Sequence, residues 1–446
     1  MISQISPLLT DLYELNMVQA YLDGGEDEEA VFEFFVRRLP DRREFLMAAG
    51  LETALEYLES LCFSAEEIEW LKRTGRFRSN LLDYLASFRF SGDVHAMPEG
   101  TVFFPHEPIL RVTAPLPQAQ LVETRLINIL HFQSMIASKA ARMVLAANGK
   151  TLVDFGLRSA HGAEAGLMSA RASYIAGFAG AANVQAGQLF DIPIFGTMAH
   201  SYVQVHESET AAFENFARAR PDNLALLIDT YDTEAGARKV VALAPKLKEM
   251  GAALRAVRID SGNLIEMSKR VRQILDDGGL QDVTIFASGG INEDVLVAMQ
   301  DAAAPIDGFG IGANLDTSQD APTLDCAYKL QEYAGKPRRK LSKGKETWPG
   351  RKQVWRDEAP DGSMRGDILS IESDRQVGRP LIVPVMKGGK RVNAAPPLTA
   401  IREHAASELK RLPDALRRLQ PGHAYPVRVS ERLHALAAEA SRQTRR

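Results

Sequence analysis

Between about residues 150 and 312 the chain alternates short, nearly continuous apolar runs with segments long enough to be helices. The runs are TLVDF (151–155), IPIFG (192–196), LALLID (224–229), LRAVRID (254–260), VTIFAS (283–288) and IDGFGIG (306–312). Apolar strands separated by amphipathic helices predict a parallel sheet covered on both faces. Polar residues follow nearly every run directly. A barrel gathers all such strand ends at one mouth, whereas an open sheet gathers only those beside its switch point. The pattern therefore predicts an α/β fold, an irregular TIM-like barrel, with a smaller α+β domain built from the N-terminal and C-terminal segments.

The flanking pattern differs. Residues 8–22 carry Leu8, Leu12, Leu15 and Val18 or Gln19 near helical spacing, with Thr10 placed as a candidate N-cap. VFEFFVRRLP (31–40) predicts a strand, and EFLMAAGLETALEYLESL (44–61) a helix with Gly50 inside it. Residues 92–113, rich in Pro, Gly and β-branched residues, predict a small antiparallel sheet. Residues 336–352 hold eight Lys or Arg against the single acid Glu346, an exposed basic strap. From about 397 a Lys/Arg-rich helical tail follows, and its last residues, SRQTRR, are expected to be disordered. These changes divide the chain into an N-terminal α+β domain (1–120), a barrel domain (121–335) and a C-terminal segment that returns to the small domain (336–446).

Composition removes several classes of function. With 45% hydrophobic and 25% charged residues the chain is globular rather than disordered or collagen-like. Cys62 and Cys326 are its only cysteines, too few for a disulfide framework or a four-cysteine zinc site, which fits a reducing cytoplasm. No apolar run reaches the roughly 18–20 residues that span a bilayer, and the N-terminus lacks a signal-peptide pattern. A net charge of −4 argues against nucleic-acid binding, so any polyanionic ligand must be met locally. P-loop, HExxH, EF-hand and GxSxG patterns are missing, and none of the apolar runs ends in the Lys of a barrel aldolase.

The chemistry-bearing residues sit at the strand ends. DFGLRSAHG (154–162) puts Phe155 and Arg158 at one turn, suited to a flat anionic ring, unless Phe155 is an ordinary core residue. GTMAHS (196–201) offers His200 from a loop that Gly196 leaves open to close approach. A lone His is usually structural, but Asp229 in the next run is placed to hold its tautomer. Arg258 and Asp260 share one face of a strand ahead of the Ser261–Gly262 turn. They suit a carboxylate clamp beside a sugar-binding acid, or an ion pair that closes the barrel. ASGGIN (287–292) and FGIGAN (309–314) are successive Gly-rich turns, the usual place of a barrel's phosphate cradle.

Taken in order, TDLYELNM (10–17), DFGLRSAHG, GTMAHSY, IDTYDT, RIDSGN and the Gly turns resemble nicotinate phosphoribosyltransferase over about residues 8–320. The resemblance implies a reaction of nicotinate, 5-phosphoribosyl 1-diphosphate, ATP and water that gives nicotinate mononucleotide, diphosphate, ADP and phosphate, within NAD salvage. It implies that Tyr13, Phe155, Arg158, Thr197 and Arg258 bind nicotinate. Ser261, Gly262, Ser288, Gly289, Gly290, Gly310, Gly312 and Ala313 would hold the phosphoribosyl group. Asp229 and Asp260 would face the cationic sugar, with Mg²⁺ held mainly by diphosphate and its protein ligands open. It further implies that ATP phosphorylates His200, and that a homodimer shares its sites, Tyr13 coming from the other subunit.

Three positions depart from the family pattern. Ser159 replaces an Arg, Ala181 and Ala182 fall in a run that is commonly Gly-Thr-Ser-Asn, and Ala313 stands where a Thr would bind phosphate, leaving that contact to Asn314 or backbone amides. The resemblance implies that nicotinamide phosphoribosyltransferase, one relative, uses an acid at about the Ala182 position to accept from the carboxamide; Ala182 cannot, which favours nicotinate over nicotinamide. Quinolinate phosphoribosyltransferase, the other relative, requires a richer basic cluster. The remaining alternative is a non-catalytic sensor of phosphoribosyl nucleotides on the same barrel.

Overall fold

The computed structural model describes residues 6–419 and 422–444. It forms two compact units, Lys139–Asp320 and the remainder, which comprises the chain up to Ser138 and from Ala321 onward.

The Lys139–Asp320 unit is built on six parallel strands: β1 (Thr151–Asp154), β2 (Gly180–Ala181), β3 (Leu224–Leu227), β4 (Leu254–Ile259), β5 (Thr284–Ser288) and β6 (Gly308–Ile311). Their order is β2-β1-β6-β5-β4-β3. The last strand returns beside the first, Gly308 opposite Thr151, which is the winding of a barrel, and the ladder stays open between β2 and β3. The result is a curled half-barrel rather than a closed ring. Five of the six apolar runs become strands. IPIFG does not: Ile194 makes a single bridge to Ala181. Pro193 has no N–H to extend a ladder, so the strand forms instead at Gly180–Ala181, which is too short to leave a hydrophobic pattern.

Three βα turns end on side-chain N-caps. The side-chain oxygens of Asp232, Asn263 and Asn292 accept from the backbone N–H of Ala235, Glu266 and Val295 at 2.7, 3.3 and 2.9 Å. Each cap satisfies a helix donor that would otherwise be orphaned and so pins the preceding loop. Behind the third turn, Glu293 is drawn inward by Lys139 at 2.5 Å, and Lys139 also meets Asp320 at 2.8 Å.

The other unit is antiparallel at its centre. Glu29–Val36 lies between Pro108–Pro115 and Cys326–Tyr333 in a seven-stranded sheet and is buried at every position but the first. A four-stranded sheet around Lys352–Glu358 and Met364–Ile371 adjoins the C-terminal helices in sequence. Several local expectations are corrected here. The N-terminal helix is Leu12–Gly24, with Asp11 at the N-cap position but no side-chain cap, and the Thr10 hydroxyl bonds the Glu14 carboxylate instead. Gly50 precedes the helix Leu51–Ser60 rather than lying within it. The basic segment is not wholly solvated, since Lys352 is buried against Glu33 at 2.7 Å. The helix Glu431–Thr444 runs through residues expected to be disordered, while Arg445 and Arg446 lie outside the described residues. No helix among the described residues is long and apolar enough to cross a membrane.

Candidate active site

The ends of β3, β4 and β5 bring the central polar group together. His200 opens the short helix His200–Gln204, and its Nδ1 lies 3.1 Å from Thr230 Oγ1. Its Nε2 faces Asp260 Oδ2 at 3.7 Å. Asp229, expected to orient the imidazole, does not meet it. Its Oδ2 accepts from Asp260 N–H at 2.8 Å and from Ser261 Oγ at 2.7 Å, while its Oδ1 is buried without a partner. Asp229 and Thr230 lie in the loop just past the end of β3, and there their side chains meet different partners. Ser288, expected to hold phosphate, is buried and donates its hydroxyl to Asp260 Oδ1.

A second group draws on β4, β5 and the end of β1. Arg258 Nη1 donates to Thr197 Oγ1 at 2.9 Å, and Arg258 Nε is buried without a partner. Burial pushes the guanidinium pKa down, the charges of Asp260 and Asp229 oppose this, and exposed Arg158 adds to it. No direct Arg258–Asp260 ion pair forms, so a closing ion pair does not describe this strand. Phe286 is level with Arg258 in the ladder, and its ring lies 6.0 Å from that of Phe155. Phe286 and Thr230 escaped the sequence reading, the first because it looks like any core residue of its run, the second because the neighbouring Asp attracted the role.

The Gly turns separate into two kinds. Gly289 has φ +95 and any Cβ on it would overlap the Asp260 carbonyl, so only glycine fits there, and Gly290 (φ +65) follows exposed beside it. With Ser261 and Gly262 they form an open rim at the ends of β4 and β5. Gly310 is different. It is buried within β6, where a Cβ would overlap the Phe155 ring, so it makes room for the aromatic rather than for phosphate. Gly312 and Ala313 begin the short helix Ala313–Asp316. The Asn314 amide is already spent on the carbonyls of Gly290 and Ile291, at 3.1 and 2.9 Å, which ties the two turns together and leaves it no free donor for phosphate.

Tyr13 lies in the other unit, on Leu12–Gly24. It is 44% exposed, with its hydroxyl donating to Glu14 at 3.3 Å. A ring so presented is available to a ligand or to a second copy of the chain.

Comparison with known proteins fits this arrangement. Three family models cover most of the chain: the nicotinate phosphoribosyltransferase N-terminal domain (residues 8–131), the family's own region (151–338) and its C-terminal domain (374–437). The chain is 48% identical to nicotinate phosphoribosyltransferase pncB2 of Mycobacterium tuberculosis H37Rv over 98% of its length and 96% of that protein. It is 38% identical to the Bacillus subtilis nicotinate phosphoribosyltransferase, over 78% of this chain and 72% of that one. The crystal structure of human nicotinic acid phosphoribosyltransferase superimposes with a TM-score of 0.87 at 29% identity, covering 97% of this chain and 99% of the human one. The chain belongs to the nicotinate phosphoribosyltransferase family of NAD-biosynthetic enzymes.

Proposed function

We propose that this enzyme joins nicotinate to the phosphoribosyl group of 5-phosphoribosyl 1-diphosphate and couples the transfer to ATP hydrolysis through phosphate on His200. The observation that carries the reading is Arg258, a half-buried guanidinium whose buried Nε has no partner, beside the aromatic pair Phe286 and Phe155. A buried N–H donor without a partner is costly unless a ligand completes it, and a planar carboxylate matches the guanidinium fork. A flat aromatic acid satisfies both features at once. Ala182, exposed at the end of β2, offers only a methyl group where a carboxamide would need an acceptor.

The pyridine nitrogen donates its lone pair to C1 of the ribose, forming the N–C1 bond, as the C1–O bond breaks and diphosphate leaves with the electrons of that C1–O bond. Asp229 and Asp260 stabilise the positive charge that develops on the sugar. The exposed turn of Ser261 and Gly262, with Gly289 and Gly290, receives the phosphoribosyl oxygens through backbone N–H groups. Gly312 and Ala313 border the same end of the sheet. In the coupled step the unprotonated imidazole nitrogen attacks the γ-phosphorus of ATP and ADP leaves. Water later releases phosphate from the phosphohistidine. Thr230 and Asp260 fix the ring for this attack.

Among the described residues no cluster of three or more His, Cys, Asp or Glu holds a metal by itself. The unpartnered Asp229 Oδ1 is a hard oxygen donor that fits Mg²⁺, which keeps most of its ligands from water and substrate phosphates. Bound there, Mg²⁺ would neutralise charge on the leaving diphosphate. Exposed Tyr13 supports a homodimer in which this ring closes over the pyridine of the other subunit.

The test is turnover by purified protein with phosphoribosyl diphosphate and ATP. Nicotinate should yield its mononucleotide, and γ-³²P-labelled ATP should leave an acid-labile label that His200→Ala abolishes. Turnover of nicotinamide without nicotinate overturns the substrate, and label persisting in His200→Ala overturns the phosphohistidine.

A further inference from the structure

Two carboxyl groups lie beneath the site and take no part in the chemistry above. Asp154 ends β1 and is 3% exposed. Asp316 ends the short helix Ala313–Asp316 and is 1% exposed. Asp154 Oδ1 accepts from Gly156 N–H at 2.7 Å, and Asp316 Oδ1 accepts from Ser169 Oγ at 2.8 Å. Asp316 Oδ2 is buried and, as a carboxylate oxygen, has no donor. It also abuts the backbone: a Cβ on Gly156 would overlap the Asp316 carboxyl. The pair therefore sits directly under the loop that carries Phe155 and Arg158, and Asp316 belongs to the turn that follows Gly310.

We propose that Asp154 and Asp316 share one proton and act together as positioning residues, an acid–carboxylate clamp that locks the Phe155–Arg158 loop to the Gly310–Asn314 turn. The clamp builds on the reading of those elements as neighbours of the pyridine and phosphoribosyl groups, whose mutual placement it would set. Two ionised carboxylates cannot lie in contact in a buried site, but an acid and a carboxylate can, the acid donating. The proton resides on Asp316. Burial and then the negative charge of Asp154 push that carboxyl up, to about 9, whereas on Asp154 the Gly156 N–H and the hydrogen bond from Asp316 hold back the rise that burial causes. The packed elements carry Glu164 and Arg171 on the helix Ala163–Ala176 and Arg158 on the turn Leu157–Ser159. The largest influences on Asp316 are, in order, burial and the charge of Asp154, which raise it, and the Ser169 hydroxyl, which lowers it. β6 and β2 bring no charged residue.

The clamp is tested on the full-length protein with Asp316→Asn, which keeps a neutral donor, and Asp316→Leu, which does not. Infrared spectra without substrate at pH 7.5 should show a protonated-carboxyl stretch that Asp316→Asn removes. In wild type, kcat/KM for nicotinate should fall as pH rises toward 9 and above, where the shared proton is lost, and Asp316→Asn should flatten that limb. Asp316→Asn should keep KM for nicotinate within about threefold of wild type, and Asp316→Leu should raise it about tenfold or more. Absence of the band, an alkaline limb unmoved in Asp316→Asn, or equal impairment of the two variants overturns the clamp. The band is read without turnover, so it stands or falls independently of the substrate assignment.

Discussion

Arg258 shows how one residue can be specified by what it lacks. A half-buried guanidinium whose one protein hydrogen bond goes to Thr197, and whose Nε is buried without a partner, leaves hydrogen bonds unmade. A carboxylate ligand supplies them in one plane. Truncation to Ala should therefore cost about 2–3 kcal/mol of nicotinate binding, roughly a 30- to 150-fold rise in KM. KM for phosphoribosyl diphosphate should stay nearly unchanged, and Arg258→Lys should fail to restore the loss because an ammonium lacks the fork. Steady-state kinetics in both substrates decide this, and equal effects on the two KM values would contradict it. The same scale explains why His200 was legible while its partner was not. A His after Gly-Thr-Met-Ala marks a strand-end loop, but whether Asp229 or Thr230 turns toward it depends on the course of the loop that leaves β3.

At the scale of elements, the glycines of β5 and β6 look alike in sequence and do different work. Gly289 permits a left-handed turn against the Asp260 carbonyl, whereas Gly310 permits the Phe155 ring to approach β6 closely. Gly310→Ala should therefore push Phe155 outward and raise KM for nicotinate several-fold, with little change for phosphoribosyl diphosphate. The opposite pattern would return Gly310 to the phosphate. The N-terminal helix has its own pH dependence. Burial pushes Glu14 up to about 7, although Thr10 and Thr124 donate to it. Its folded pKa lies above the unfolded value, so its contribution to stability is fully present below about pH 4.5 and is lost as pH rises through about 7. Hydrogen exchange along Leu12–Gly24 should quicken between pH 5 and pH 8 beyond the intrinsic rate. Glu14→Gln should remove that extra dependence, and an unchanged profile in the variant would contradict the assignment.

At the scale of the whole molecule, a shared site makes a prediction that no single chain can satisfy. Tyr13→Ala and Arg258→Ala each damage one side of such a site. If Tyr13 serves the other subunit, exchanged mixtures contain heterodimers with one intact and one doubly damaged site. Equal mixing should then recover about a quarter of wild-type activity at low nicotinate, since half the dimers are mixed and each holds one good site. Activity no greater than the average of the two variants would place Tyr13 outside the site or within its own chain's site.

The sequence by itself determined the alternation that winds a parallel half-barrel, the strand ends where polar residues collect, and the family to which those motifs belong. These are local properties: a run of apolar residues, a helix cap such as Asn263 or Asn292, a turn that only glycine can make. Tertiary structure alone decided the partnerships. It set Thr230 against His200, Gly310 under Phe155, the amide of Asn314 across two turns and Asp154 against Asp316. It also replaced the strand expected at IPIFG with Gly180–Ala181. The physical reason is that periodicity names the face a side chain takes. Its neighbour across the sheet depends on register and on distances of a few tenths of an ångström between residues far apart in the chain.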